Sequence, residues 1–355
     1  MKWYRVHNLC FLKVISFCMD YHWSVSKKII HVHEKHMINC VECTKKIKCL
    51  KFRTETHADS YDFITFFAYV CYFPLYFAGP VMTYNSWLSQ VHFPQQVYDK
   101  KRLFIYSFRW IVVFGLLLWF IHNLYLPAIA NSQYNRHLLF WLNCSELMTV
   151  SFFVLKWIWL KFTVIWRFFR IVALLDNIEC PENMITCMSN NYCFEGFWRS
   201  WHHSFNLWLV RYLFIPLGGK HTKIYNIWII YGFVGLWHDV SLDMVFWSWG
   251  MCLFIVPEIL IKSYFSRENF SAFRSTLAYS WLCVLGSDFY IILMIVANLV
   301  GFSYGSDGIT HMSKKFISVE GIKAIFISVI FLTIWTHFNR LYREEEARRG
   351  VKKKY

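Results

Sequence analysis

Apolar residues gather into nine windows along the chain, at residues 63–79, 104–126, 138–155, 162–175, 197–217, 224–238, 242–261, 277–300 and 321–338. A helix needs about 20 mostly apolar residues to cross the hydrocarbon of a bilayer. The pattern therefore predicts an all-α fold, a multi-pass transmembrane helical bundle of about 8–10 membrane helices with re-entrant segments included. Several windows are short or carry charges, which suits helices surrounded by other protein. The first is interrupted by Pro74 and by Gly79-Pro80 and reads as re-entrant. The expected organisation is an N-terminal membrane-proximal segment over 1–61 with a basic, Cys/His-containing cytosolic loop, a transmembrane core over 62–338, and a basic cytosolic tail over 339–355. No internal repeat, low-complexity run or nucleotide-binding glycine loop interrupts this plan. The first apolar run ends at Asp20, Tyr21 and His22, too soon for a cleavable signal peptide.

Composition agrees with the pattern. Hydrophobic residues make up 57% of the chain, aromatics 21% and charged residues 17%, against roughly a quarter charged in soluble domains. The excess of 37 Lys+Arg over 22 Asp+Glu lies in two clusters outside the apolar windows, at 27–53 and 340–354. Such clusters read as cytosolic flanks attracted to anionic membrane lipids, not as a nucleic-acid surface. Counting back from a cytosolic tail, alternation puts 303–320 in the lumen, 266–274 in the cytosol, 239–242 in the lumen, 218–223 in the cytosol and 177–195 in the lumen. The last of these contains acids but no Lys or Arg. Lys352-Lys353-Lys354-Tyr355 fits a dilysine retrieval signal, which points to the endoplasmic reticulum membrane. The sequon Asn269-Phe270-Ser271 is then cytosolic and unused. Twelve cysteines form no disulfide framework. Cys40, Cys43 and Cys49, near His31, His33 and His36, read as reduced or S-palmitoylated thiols ahead of a zinc knuckle, so no metal is predicted.

The candidate chemistry lies in Phe197-Trp198-Arg199-Ser200-Trp201-His202-His203-Ser204-Phe205-Asn206-Leu207-Trp208. At helical spacing Arg199, His202, His203 and Asn206 share one polar stripe, with Phe197, Trp201, Phe205, Trp208 and Tyr212 opposite. Ionisable groups within a membrane are costly and are functional candidates by default. Pro216-Leu217-Gly218-Gly219-Lys220 predicts a turn, and the next helix ends at His238-Asp239. At about 1.5 Å per residue, Asn206 lies roughly 15 Å and His238 roughly 20 Å above that turn, so an antiparallel pair brings them near each other. Imidazole, with a reference pKa near 6.5, can take the proton of an attacking hydroxyl or amine, and an amide can hold the acceptor or the developing oxyanion. No Ser-His-Asp arrangement is evident, so direct transfer from a thioester is the simpler chemistry. The competing reading makes His238 a hydrogen-bonded interfacial histidine, His202 and His203 packing or interfacial residues, His122 structural, and Asp239 a cap.

These residues, continued by Arg211-Tyr212, Ile215-Pro216-Leu217-Gly218-Gly219 and Gly235-Leu236-Trp237-His238, resemble the membrane-bound O-acyltransferase (MBOAT) family. The likeness is to its glycerol-uptake-protein and Hedgehog-acyltransferase branch. Asp20-Tyr21-His22-Trp23 and Tyr76-Phe77-Ala78-Gly79-Pro80 agree with it. The resemblance implies an endoplasmic-reticulum acyltransferase using acyl-CoA as co-substrate and no resident cofactor. It implies His238 and Asn206 as catalytic residues, with Arg199, Trp201, His202, His203 and Trp237 around the substrates. Lys220 and Lys223 are expected at the phosphates of coenzyme A. The expected acceptor is a lipid hydroxyl, of GPI-anchor or lysolipid type, with a protein acceptor as the alternative. Family members usually carry further spanning helices before the Asp-Tyr-His-Trp element, so a shortened, non-catalytic regulator is a rival reading, and a polyol transporter a third.

Overall fold

A computed structural model describes residues 4–26, 40, 60–95, 97–130 and 141–350. The histidines and cysteines at 31–36 and 43–49, most of the basic loop, and the dilysine motif lie outside the described residues. Helices follow one another throughout: α1 Tyr4–Val25, α2 Phe63–Cys71, α3 Phe73–Tyr76, α4 Tyr84–His92, α5 Lys100–Leu124, α6 Leu126–Ala130 and α7 Cys144–Leu175. Then come α8 Phe194–Ser200, α9 His203–Leu209, α10 Lys223–His238, α11 Leu242–Phe265, α12 Ser271–Arg274, α13 Leu277–Leu299, α14 Gly305–Phe316 and α15 Val319–Arg348. Among the described residues, four segments are long and apolar enough to cross a membrane: Lys100–Leu124, Met244–Phe265, Leu277–Tyr304 and Val319–Arg348. The fold is the expected all-α, multi-pass arrangement. By contrast α10, at 16 residues, reaches only roughly 24 Å at about 1.5 Å per residue, short of a hydrocarbon core of about 30 Å.

Residues Met1–Phe114, Phe162–Asn183 and His202–Lys220 form one compact unit. Its core is aromatic, with Tyr69, Tyr84 and Trp87 packed on Leu75, Ala173 and Cys180. The 63–79 window is broken, as its prolines foretell: α2 stops at Cys71 and Pro74 sits in the first turn of α3. Asp62 and Thr83 cap α2 and α4 by accepting the N–H of Thr65 and Ser86. Gly79 is required in the turn that follows α3, where a Cβ would lie 2.5 Å from the Pro74 carbonyl oxygen. Polar groups of α1 point inward. Lys13 donates to the carbonyls of Tyr69 and Val70 at 3.2 and 3.0 Å, the unwound end of α2.

Residues Gly115–Lys161, Met184–Trp201 and His221–Tyr355 form the second unit. Its α10 and α11 pack closely because Gly235 bears no side chain: a Cβ there would meet Ser248 Oγ at 2.6 Å and the Met244 carbonyl oxygen at 2.7 Å. Glu258 of α11, 3% exposed, accepts the backbone N–H of Phe194 and Glu195 at 3.0 and 3.3 Å. It thus supplies the anion that the first turn of α8 favours, which Cys193 at the N-cap does not. Asp288 of α13 is buried and accepts from the hydroxyls of Thr333 and Thr336 of α15 at 2.7 and 2.6 Å, so this carboxyl in a spanning helix is satisfied by its neighbour.

Three expectations change. The windows at 138–155 and 162–175 are not separate helices over the described residues; α7 runs through the charged interval between them. Lys156 and Lys161 do not end it because their ammonium groups lie over aromatic faces, Lys156 over Phe152 and Trp159 and Lys161 over Trp157. The 303–320 connection is mostly helical, with a π-helical turn at Val300–Tyr304 leading into α14. The 197–217 window is not one helix, and that break bears on the site.

Candidate functional site

His238 is the last residue of α10, and Asp239 beyond it is extended. Gly235 lets α11 fold back against this end, which brings Trp247 to the imidazole. The His238 ring lies 4.9 Å from Trp237, 6.1 Å from Trp247 and 6.0 Å from Phe302, centroid to centroid and edge to face. Phe302 comes from the π-helical turn after α13. Rings surround the imidazole on these sides, and the residue is exposed on the remainder. Among the described residues no hydrogen bond engages either ring nitrogen. Neither nitrogen is committed to holding the fold, which leaves both available to a reacting group.

The predicted stripe of Arg199, His202, His203 and Asn206 does not exist as a single helical face. Helix α8 ends at Ser200, Trp201 is extended and pairs with Met184 in an isolated bridge, and His202 takes a left-handed backbone with φ 48° and ψ 46°. A non-glycine residue in that region costs about 1–2 kcal/mol, and such outliers cluster at functional sites. Helix α9 then restarts and passes into a π-helical turn at Val210–Phe214. The aromatic stripe is interrupted at the same point, and the even rise per residue assumed between Asn206 and the Gly218-Gly219 turn does not hold. The turn itself is as expected, with Gly218 and Gly219 at φ 101° and 60°.

The predicted residues divide between the units. In the first, the His202 ring stands edge-on to Trp166 at 4.6 Å. His203 is buried, and its N–H donates to the Asn183 carbonyl. Asn206 is half-buried, and among the described residues its carboxamide makes no hydrogen bond. Lys220 is exposed just past the glycine turn. In the second unit, Trp201 stacks on Phe197 at 5.9 Å and Trp237 flanks His238. Arg199 and Lys223 meet on one carboxylate, donating to Glu195 Oε1 at 2.8 and 3.2 Å, so Glu195 and Lys223 are not on the opposite sides of the membrane that alternation assigned to 177–195 and 218–223. Burial pushes the Glu195 carboxyl up, but these two cations outweigh it and hold the group below the usual carboxylate range.

Sequence reasoning missed Glu195, Trp247 and Phe302. Glu195 and Arg199 at i, i+4 were a readable pair, whereas no spacing rule links Trp247 or Phe302 to His238. It also missed what the Asp-Tyr-His-Trp element does. Asp20, 0% exposed, pairs with Arg211 at 2.8 Å and accepts from the Tyr212 hydroxyl at 2.9 Å. Trp23 stacks on Tyr212 at 5.7 Å and lies under the Arg211 guanidinium at 5.2 Å. Two sequence fragments noted separately are thus one buried cluster within the first unit.

A model of the membrane-bound O-acyltransferase family, MBOAT, matches residues 1–304. The chain is 35% identical over 353 residues to the membrane-bound O-acyltransferase gup1 of Schizosaccharomyces pombe, covering 97% of this chain and 58% of that protein. It is 33% identical over 358 residues to the membrane-bound O-acyltransferase GUP1 of Saccharomyces cerevisiae, covering 99% and 61%. A more distant likeness, 24% over 298 residues, is to the protein-cysteine N-palmitoyltransferase HHAT of Mus musculus, covering 78% and 57%. The chain thus spans about three-fifths of the length of these relatives.

Proposed function

The chain belongs to the membrane-bound O-acyltransferase family, and from that membership we propose that it moves a long-chain acyl group from acyl-CoA to a hydroxyl of a lipid acceptor, with His238 as general base. The observation that carries this reading is the imidazole itself: it stands at a helix end, walled by Trp237, Trp247 and Phe302, with no hydrogen bond to the described protein. In the proposed step the acceptor hydroxyl attacks the thioester carbonyl and the imidazole takes the hydroxyl proton. The new C–O bond forms, the C–S bond breaks, and the proton passes from the imidazole to the departing CoA thiolate.

Further residues have proposed roles within their own units. The uncommitted carboxamide of Asn206 suits an acceptor or an oxyanion, and the strained backbone of His202 marks it as selected for something other than helix stability. The cation pair Arg199 and Lys223 suits the phosphates of coenzyme A, with Glu195 holding both in place until phosphate arrives. The setting is proposed to be the endoplasmic reticulum. A hydroxyl acceptor is favoured because the more similar relatives are named O-acyltransferases; the likeness to an N-palmitoyltransferase favours a peptide amine as the second reading.

Microsomes holding the chain, and a His238→Ala version, would be given labelled long-chain acyl-CoA with total lipid extract and, separately, with peptide acceptors. Label should move to lipid with the wild type only. Equal transfer by both would remove His238 from the chemistry. Transfer to peptide alone would establish the second reading, and none to either would favour a non-catalytic role.

A further inference from the structure

We infer that Trp247 is a positioning residue for His238, seated by the missing side chain at Gly301; the inference rests on the proposed role of His238. Four observations converge on the indole. It is buried, 9% exposed, and touches the imidazole edge-on at 6.1 Å with an interplanar angle of 87°. Its other faces are occupied by Phe302 at 4.9 Å and Trp198 at 6.1 Å. Its N–H is buried and, among the described residues, has no hydrogen-bond acceptor. And it lies against Gly301 so closely that a Cβ there would stand 2.6 Å from Cδ1 and 2.7 Å from Nε1.

A buried indole N–H ordinarily finds an acceptor, and leaving it unmet is destabilising. Here no hydrogen bond fixes the ring, so shape alone does. Gly301 and Phe302 are neighbours in the π-helical turn Val300–Tyr304, and π turns occur often at functional sites. That turn supplies both the notch that admits the indole and a second ring against the imidazole. Any methyl added at Gly301 must therefore displace the indole, and the His238 imidazole is among the rings packed against it. The push is transmitted through packed rings, and a shift of about 1 Å in a catalytic group can cost about a hundredfold in rate.

The test uses the full chain in three forms beside the wild type: Gly301→Ala, Trp247→Phe, and the two combined. The phenyl ring has no atom at the Nε1 position and is small enough to turn about χ2, which takes Cδ1 out of the methyl's way. With labelled acyl-CoA and lipid acceptor, Gly301→Ala should lose about tenfold or more in kcat, with KM for acyl-CoA changed less than about twofold. The double variant should return to within about threefold of Trp247→Phe. A second readout is independent of turnover: carbethoxylation of His238 by diethyl pyrocarbonate, followed by peptide mass spectrometry. Gly301→Ala should speed that modification, and the double variant should restore the slower rate. Unchanged carbethoxylation in Gly301→Ala, or a double variant as impaired as Gly301→Ala while Trp247→Phe is active, overturns the inference. If the wild type transfers no acyl group but carbethoxylation follows the predicted pattern, the positioning stands and the acyltransferase reading falls.

Discussion

At the residue scale, the buried charges are the most exacting feature. Asp20 and Arg211 are paired in a cluster closed to solvent, with Tyr212 and the Asn85 N–H satisfying the same carboxylate. Removing one partner of such a pair leaves the other charge buried and uncompensated, which costs about 3–5 kcal/mol. Asp20→Asn should therefore lower the melting temperature of the detergent-purified protein sharply; an unchanged melt would mean that the pair contributes no net stability. Both residues were visible in the sequence as parts of quoted motifs, but they are 191 positions apart and no local rule joins them. Glu195 makes a gentler case. Its folded pKa is depressed, so its contribution is present above the unfolded carboxylate value of about 4.3 and fades as pH falls through the lower folded value. Glu195→Gln should lower stability in the neutral region, where that contribution is present, and flatten the acid limb, so that the two stability–pH profiles converge at low pH.

Elements were legible where periodicity was long and uninterrupted, and misread where a single backbone angle or a lysine side chain decided the outcome. The windows behind α5, α11, α13 and α15 match helices of spanning length. The run from Phe197 to Tyr212 carries a helix-like pattern that the chain declines at His202. Nothing in the residue types forbids the helix there; the break depends on the bridge from Trp201 to Met184 and on the His203 N–H reaching Asn183, both tertiary. His238 was read at the end of a helix and does end one, while its aromatic wall comes from later segments. The left-handed angle gives a test. His202→Gly relieves the backbone and His202→Ala keeps its cost, so the glycine variant should be the more stable of the two by about 1 kcal/mol. Both should lose acyl transfer. An alanine variant that melts higher than the glycine one would mean that His202 is not strained.

For the whole molecule, the order of spans fixes which loops share a side of the membrane. Three of the four segments of spanning length and apolarity among the described residues start in α11, α13 and α15. Consecutive spans alternate, so the connection between α11 and α13 lies on the same side as the C-terminal end of α15. That end carries Arg340, Arg343, Arg348 and Arg349, and the connection carries Arg267 and Arg274; both basic flanks ask for the cytosol. Asn269 sits in this connection, in the 3-10 turn Glu268–Phe270, and is exposed. Burial therefore cannot keep a glycan off the sequon Asn269-Phe270-Ser271, and only sidedness can. Endoglycosidase treatment of the expressed chain should produce no mobility shift attributable to Asn269, and an epitope on the tail should be stained when the plasma membrane alone is permeabilised. A glycan on Asn269 with a cytosolic tail would break the alternation and demote α13 or α15 from spanning to buried or re-entrant. A glycan together with a luminal tail would keep all three spans and invert the map, which would put Arg199 and Lys223 to a different use from holding a cytosolic acyl-CoA.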